Sequence, residues 1–251
     1  MDVAPFRLSG SRDAAVLCLH GLTGTPYEVR PLGEACAARG LTAVGPALPG
    51  HNASPEALAR VSAESWLEAA RGELMRLRDQ HSTVFVAGLS LGGLLGLALA
   101  AEGALDGLAV VGTPLRLYSP LVRLVPLLKH FVPYVRKSDG SDIQDDAARA
   151  RHPSYTAMPL ESVHQLLRLQ RSVRGLLGRI RAPILVAHGG RDRTARPTDA
   201  RRIVDGVASR ERELLLLAES GHVVPVDRDG PALSSAVAEF FERHLAGEAV
   251  A

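Results

Sequence analysis

The pentapeptide Gly88-Leu89-Ser90-Leu91-Gly92 separates an apolar, β-rich run at 83–87 from a helix-favouring run at 94–101. A serine at a sharp turn from strand to helix takes strained backbone angles and presents its hydroxyl beyond the end of the sheet. Glycines two positions before and after it keep Cβ atoms out of a crowded turn, and the first N–H groups of the helix favour negative charge above the serine. The pattern predicts a nucleophile at Ser90; the alternative is a strand-loop-helix connection with an incidental serine.

Apolar runs of strand length alternate with amphipathic runs of helix length along the chain. This alternation is typical of a mostly parallel sheet with helices on both faces. The predicted buried strands are 15–19, 41–44, 83–87, 108–111, 184–187 and 213–217, and the predicted helices are 27–38, 63–78, 91–101, 198–207 and 231–245. A length of 251 residues suits one α/β domain with an insertion.

The alternation fails between Thr113 and Ile180, where the chain is far longer than a typical connection between strand and helix. The first part is unusually apolar, with a predicted helix start at Ser119-Pro120 and a kink or end at Pro126. A second helix is predicted over 159–179. We interpret 113–179 as a helical cap over the carboxyl edge of the sheet, and 1–112 with 180–251 as the core domain. Most of the apolar cap residues are expected to pack onto the body, and several to form a pocket wall.

Composition bounds the location and the partners of the protein. The net charge is only +2 and the arginines are scattered, which disfavours nucleic acid as a partner. Two cysteines without a C-x-x-C pair indicate a reducing compartment. Neither a signal peptide nor a membrane span is predicted, since the most apolar stretch, 105–128, contains charges and prolines. We therefore expect a cytoplasmic protein, either a monomer or a homodimer.

A serine hydroxyl is a weak nucleophile that needs a base, and the base needs an acid to orient it. Among nine histidines, His222 follows the last predicted strand and precedes the last helix, so it lies at the sheet edge where Ser90 emerges. Enzymes with the serine on such a turn carry the acid between serine and histidine along the chain. Asp192, in the loop after strand 184–187, fits this order best; Asp199 and Glu219 are the competitors. His188 is expected to be a buried, hydrogen-bonded neighbour.

Acyl transfer also requires donors for the tetrahedral oxyanion. One predicted donor is the backbone N–H of Leu91, directly after the serine. The other is the backbone N–H of Leu22, in the glycine-rich turn that follows the strand ending at His20. The His20 side chain is expected to hydrogen-bond a neighbouring loop. No histidine-carboxylate cluster has the spacing of metal ligands, so we expect neither a metal nor another cofactor.

These residues resemble those of the α/β-hydrolase superfamily over nearly the whole chain. Within it, the chain is similar to small bacterial carboxylesterases and monoacylglycerol lipases, through 16–24 (VLCLHGLTG), 49–51 (PGH), 87–93 (AGLSLGG) and 220–223 (SGHV). Asp142-Ile143 and the leucine-rich run after Met158-Pro159 also resemble the cap of that family. The resemblance implies a triad of Ser90, Asp192 and His222 with Leu22 and Leu91 as oxyanion donors. Leu22 stands where the family often has phenylalanine.

The sequence thus predicts a serine carboxylic-ester hydrolase for short-to-medium-chain acyl esters, including monoacylglycerols. Its partner would be a small-molecule ester. A thioesterase or a peptidase could use the same triad and stays open. A ligand receptor without catalysis on the same scaffold is an alternative of a different class. The physiological substrate and the preferred alcohol are not determined by these patterns.

Overall fold

The computed structural model describes residues 2–103, 105–136 and 140–245. Its strands are β1 Phe6–Leu8, β2 Ala14–Leu19, β3 Thr42–Gly45, β4 Thr83–Leu89, β5 Gly107–Val111, β6 Tyr134–Arg136, β7 Ala157–Pro159, β8 Ile184–Gly189 and β9 Arg212–Leu217. Its α-helices are α1 Arg30–Ala38, α2 Pro55–Ala59, α3 Ala63–Arg78, α4 Leu91–Ala101, α5 Val125–Leu128, α6 Asp146–Arg151, α7 Leu160–Leu176, α8 Pro197–Gly206 and α9 Gly230–Arg243. In these ranges no helix is both long and apolar enough to cross a bilayer.

Seven strands form one sheet in the order β1-β3-β2-β4-β5-β8-β9. All neighbours pair in parallel except β1, which pairs antiparallel with β3 at one edge. The predicted mostly parallel α/β architecture is therefore confirmed. The carboxyl ends of the parallel strands share one edge of the sheet, and the loops that follow them meet there.

Side chains of the central strand β4 alternate between two apolar layers, as the period of two in a strand requires. Val84 and Val86 pack in the layer that contains α3, α4 and α8, whereas Phe85 packs with α1 and α9. The ring of Phe85 stacks on Phe241 of α9 with a centroid distance of 4.6 Å. Helix α4 is buried from Leu91 through Ala100, which explains why it is apolar on all sides.

The structure differs from the sequence prediction where elements are short or at an edge. Strand β1 and the pair β6–β7 have three residues each, too few for a periodic pattern. The short helices α2 and α6 were also not predicted. The strand predicted as buried at 213–217 is the edge strand β9, and Leu216 is 54% exposed. Its run of leucines is typical of a buried strand. The sequence alone does not reveal which strand lies at the edge of the sheet.

Residues 113–179 contain a 3-10 turn at Pro120–Leu124, α5, the β6–β7 pair, α6 and α7. Ser119 Oγ accepts a hydrogen bond from the Leu121 N–H at 3.3 Å, so the predicted start is confirmed. The 3-10 turn that starts there ends at Leu124, so the expected end near Pro126 is confirmed, and Pro126 itself lies in the first turn of the next helix, α5, where no N–H is needed. Helix α7 and the turn Leu177–Arg179 occupy the second predicted helix. The domain division remains a prediction; its ranges include residues 1, 104, 137–139 and 246–251, outside the described chain.

Half of the apolar residues in the first part of this segment do not pack onto the body, contrary to expectation. Helix α5 contacts α7 on one side only, where Val125 packs against Leu160 and Val163. The outward-facing side chains are between 45% and 76% exposed: Leu121, Leu124, Leu127, Phe131 and Val132.

Asp199, buried in α8, anchors the beginning of the segment. Its Oδ2 accepts the N–H groups of Leu115 at 3.0 Å and Arg116 at 3.2 Å. Its Oδ1 accepts the Tyr118 hydroxyl at 2.6 Å and Arg202 at 2.8 Å. Asp199, a competitor for the catalytic acid in the sequence, therefore has its carboxylate engaged by four donors near the start of the segment.

We expect Asp199→Ala to lower the free energy of unfolding by about 2–4 kcal/mol, because buried donors lose their acceptor. Urea denaturation measures this change. Asp205→Ala is the control, since Asp205 is exposed on the same helix and should change stability by about 0.5 kcal/mol or less. Equal stabilities of the two variants would show that the anchor contributes nothing.

Candidate active site

Ser90 connects β4 to α4 with φ +53° and ψ −109°, in a region that non-glycine residues rarely occupy. Its N–H donates to Val111 O at 2.9 Å, and its carbonyl accepts from Leu94 N at 3.1 Å. These bonds hold the turn between the neighbouring strand β5 and the first turn of α4. The side chain is mostly buried but contributes to the wall of a cavity.

The two glycines of the pentapeptide are required by close backbone approaches. A Cβ at Gly88 would lie 2.3 Å from Gly92 O, and a Cβ at Gly92 would lie 2.0 Å from Leu19 O. Any side chain at either position would push α4 away from the sheet. The predicted role of these glycines is therefore confirmed.

Asp192 lies in the loop after β8 with its side chain fully buried. Oδ1 accepts the N–H groups of Thr194 at 2.8 Å and Ala195 at 2.7 Å. Oδ2 lies 2.8 Å from His222 Nδ1 and 2.9 Å from His188 Nε2. Burial opposes ionisation, yet the charge of His222 and the contacts with both imidazoles hold the pKa of the carboxyl well below its ordinary 3.8.

His222 lies in the loop after β9 and lines the same cavity as Ser90. Because Nδ1 faces the Asp192 carboxylate, the tautomer consistent with this contact carries its proton on Nδ1 and leaves Nε2 as an acceptor. Burial alone would lower the pKa of His222, but the Asp192 charge outweighs it, with Asp142 and Glu28 adding to the effect. The pKa is raised above its ordinary 6.5.

Leu22 and Leu91 lie on the two segments that flank Ser90. Leu91 begins α4, and Leu22 follows Gly21 in the loop after β2. A Cβ at Gly21 would be 3.6 Å from Ser90 Cβ, so this loop runs directly beside the serine. Thr23, with φ +65°, and the bond from Gly24 N to Gly21 O at 3.2 Å turn the loop back on itself.

The histidines at two strand ends hold loops, as expected from the sequence. His20 Nε2 accepts the Leu48 N–H at 3.1 Å, and its Nδ1 lies 2.9 Å from Gly21 O. Burial lowers the pKa of His20, which keeps it neutral as an acceptor. His188 is buried and contacts Asp192, behind His222.

A cavity of about 490 Å³ opens over Ser90 and His222, within the range typical of small-molecule sites. Its apolar wall includes Leu22, Leu89, Leu117, Met158, Val163, Leu166 and Val223. Its polar wall includes Glu28, Arg136, Ser141, Asp142, His152, Ser154, Arg193 and Thr194. Much of both walls comes from residues between Pro114 and Leu166.

Several buried groups of this site were not found as site residues by sequence reasoning. Glu28 Oε2 accepts the Gly21 N–H at 2.9 Å, and its Oε1 lies 2.9 Å from His152 Nε2. Burial opposes the charge on Glu28, but His152, His20 and Gly21 lower the pKa of its carboxyl from 4.5 to about 2. Asp142 is predicted only as part of the Asp142-Ile143 pair that resembles the cap of the family, whereas Glu28 and His152 belong to no motif. The three residues are distant in sequence, so only the fold brings them together.

The parallel sheet, the serine turn and the histidine-aspartate contact are together typical of the α/β-hydrolase class. The chain belongs to the family described as serine aminopeptidase, S33, whose pattern matches residues 10–229.

A thermostable monoacylglycerol lipase of Bacillus sp. (strain H-257) is 33% identical over 229 residues, which cover 91% of this chain and 90% of that protein. A carboxylesterase of Bacillus subtilis (strain 168) is 28% identical, with coverages of 95% and 96%. A solved structure described under LipS and LipT, two metagenome-derived lipolytic enzymes, has a TM-score of 0.91 and 28% identity, covering 96% of this chain and 98% of its own. The predicted fold, family and ester-hydrolysing class are therefore confirmed.

The buried Glu28 carboxylate generates a prediction about acid stability. A group whose pKa falls on folding stabilises the protein above its unfolded pKa, and this stability is lost as pH falls through the folded value. For Glu28 the window runs from 4.5 down to about 2, and the shift corresponds to about 3 kcal/mol. We expect Glu28→Gln to be less stable than wild type at pH 7, with the difference shrinking towards pH 3.

Urea unfolding at pH 7, 4.5 and 3 tests this expectation. Glu102→Gln is the control, because the Glu102–Arg71 pair is partly exposed and should contribute about 1 kcal/mol or less. A stability difference for Glu28→Gln that stays constant across these pH values would contradict the assignment.

Proposed function

We propose that this protein is a serine carboxylic-ester hydrolase that acts on short-to-medium-chain acyl esters, including monoacylglycerols. Ser90, His222 and Asp192 form the catalytic triad, and the reaction passes through an acyl-enzyme. The observation that carries the proposal is the 2.8 Å contact of His222 Nδ1 with Asp192 Oδ2, beside a strained serine in the same cavity wall as His222.

In the acylation step, Ser90 Oγ attacks the ester carbonyl while His222 Nε2 accepts the hydroxyl proton. Asp192 stabilises the imidazolium that forms, and the raised pKa of His222 supports its role as proton acceptor. The N–H groups of Leu22 and Leu91 bind the carbonyl oxygen as it becomes negative. The intermediate then expels the alcohol, which takes the proton from His222.

In the deacylation step, water enters where the alcohol has left. His222 removes one proton from this water, whose oxygen attacks the acyl carbon, and the second intermediate collapses by breaking the bond between the acyl carbon and Ser90 Oγ. His222 returns the proton to Ser90 Oγ, and the carboxylic acid leaves. Asp192 stays ionised throughout, which its strongly lowered pKa supports.

The two walls of the cavity support an ester with an apolar acyl group and a hydroxylated alcohol. Leu117, Met158 and Val163 offer apolar contacts for an acyl chain, while the Ser141 hydroxyl, which contacts His152 Nδ1 at 2.6 Å, offers a polar contact to an alcohol. The similarity to a monoacylglycerol lipase supports the same substrate class.

We propose that 113–179 acts as a cap that sets the acyl preference. A cytoplasmic location and the choice between monomer and homodimer remain predictions.

The alternative functions predicted from the sequence, a peptidase, a thioesterase and a receptor without catalysis, require different features of the site. An aminopeptidase needs an anionic group to bind the substrate ammonium. Glu28 is engaged by Gly21 and His152, and Asp142 Oδ2 by Arg193 and Thr194, but the buried Asp142 Oδ1 has no hydrogen-bond partner among the described residues. The aminopeptidase alternative therefore stays open, and the similarity to a monoacylglycerol lipase and a carboxylesterase favours the ester hydrolase. A thioesterase would use the same residues, and a receptor would leave them unreactive. Nitrophenyl esters, thioesters and aminoacyl amides assayed side by side distinguish all of these.

The nucleophile is tested by covalent labelling. A phosphonate or sulfonyl fluoride should add one mass increment to the peptide that contains Ser90, and Ser90→Ala should lose both the label and ester turnover. Ser154→Ala, another serine of the cavity wall, is the control and should still be labelled. Asp192→Asn should reduce turnover about 10⁴-fold, since the wrong imidazole tautomer is favoured. A label on another residue would overturn the mechanism.

The cap proposal is tested by the chain-length profile of kcat/KM. Each methylene buried in the transition state contributes about 0.8 kcal/mol, roughly fourfold in specificity. Val163→Phe should fill part of the apolar wall and shift the optimum to shorter acyl chains. Leu176→Phe is at the far end of the same helix and outside the cavity wall, and it should leave the profile unchanged. Identical profiles for both variants and wild type would leave this wall without a role in acyl selection.

A further inference from the structure

Asp142 lies between the two loops that carry Asp192 and His222. Its Oδ2 accepts the Arg193 N–H at 2.7 Å, the Thr194 N–H at 3.2 Å and the Thr194 hydroxyl at 3.3 Å. Its backbone carbonyl accepts the His222 N–H at 2.8 Å and the Val223 N–H at 3.3 Å. One residue of the segment 113–179, called the inserted segment below, thus binds the backbone next to Asp192 and the backbone of His222.

We propose that Asp142 is a positioning residue that holds the Asp192–His222 pair in register. The inference rests on the proposed function, and it gives the inserted segment a second role beyond forming a pocket wall. Asp142 acts through the two loops: none of its hydrogen bonds involves Ser90 or the imidazole nitrogens of His222.

The backbone around Asp142 is built for this close approach. A Cβ at Gly221 would lie 2.6 Å from Asp142 O, so only glycine before His222 lets the two segments meet. The buried Asp227 holds the same segments from the other side. It accepts Gly221 N at 2.7 Å and, from the inserted segment, Gln144 N at 2.8 Å and Asp145 N at 2.9 Å.

The two loops also meet directly, through the Asp192–His222 contact and through a backbone hydrogen bond before these residues. Arg191 N donates to Ser220 O at 3.0 Å, before Asp192 in one loop and before His222 in the other. Asp142 binds residues 193–194, which follow Asp192. It also binds residues 222–223, which are His222 itself and the residue after it. Apart from the contacts of Asp142, the described backbone hydrogen bonds between the two loops lie before Asp192 and before His222.

The negative charge of Asp142 also affects the protonation of His222. The Asp142 side chain is only 10% exposed, and its Oδ1 lies 3.6 Å from Arg193 Nε. The carboxylates that face His222 are Asp192, Asp142 and Glu28, and all three favour its protonated form. Loss of the Asp142 charge should therefore lower the pKa of His222, and the acid limb of the kcat/KM profile should move to lower pH.

The test compares Asp142→Ala, Asp142→Asn and the control Asp146→Ala, whose side chain is 85% exposed on α6. Asp142→Ala should lower kcat about 10²-fold, as small misplacements of catalytic groups do, with KM little changed. Asp142→Asn keeps an oxygen for the two N–H groups but loses the charge. It should recover part of kcat and show the acid limb at lower pH. Asp146→Ala should match wild type.

A second readout needs no activity: the downfield proton resonance of His222 Nδ1–H, bonded to Asp192. It should be present in wild type and Asp146→Ala, and lost through exchange in Asp142→Ala. Wild-type kcat and resonance in Asp142→Ala would overturn the proposal. If Asp142→Ala does not fold, a wild-type kcat and acid limb in Asp142→Asn would overturn it. An absence of ester turnover in wild type with the resonance changes intact would instead refute the proposed function alone.

Discussion

The close approach of helix α4 to strands β2 and β4 is the constraint on which the site depends. Gly88 and Gly92 leave no atoms between these backbones, so the turn at Ser90 is forced into left-handed φ and projects its hydroxyl from the sheet edge. The surrounding helix is buried through Ala100, and this packing compensates for the strain at a single residue. The fixed position of Ser90 therefore follows from core packing rather than from the loops around it.

Buried carboxylates organise the loops that the sheet alone leaves unsupported. Glu28 holds the turn at Gly21, Asp192 holds its own loop and contacts His222, and Asp227 joins the His222 loop to segment 113–179. Each carboxylate accepts backbone N–H groups that would otherwise be buried without a partner, which costs more than the bond itself contributes. The charge of Asp192, with those of Asp142 and Glu28, also raises the pKa of His222, so two of these loop-holding carboxylates also act on the imidazole.

Segment 113–179 connects the cavity wall to the loops of Asp192 and His222. Its beginning is fixed by Asp199 on α8, its middle contacts both loops through Asp142, and α7 supplies Val163 and Leu166 to the apolar wall. Its outer surface carries exposed leucines and Phe131. A change in this segment would therefore affect both the shape of the cavity and the backbone that holds His222.

The sequence by itself determined the parallel architecture, the turn at Ser90 and the residues expected beside it, because strand-helix alternation and a glycine-flanked serine are local patterns. Chain order also pointed to Asp192 and His222, which the structure brings within 2.8 Å. Only the tertiary structure decided that β9 is a half-exposed edge, that Pro126 opens a helix, and that Glu28, His152 and Asp142 converge on the cavity. These outcomes depend on contacts between residues far apart in the chain, and such contacts leave no periodic or spaced signal in one sequence.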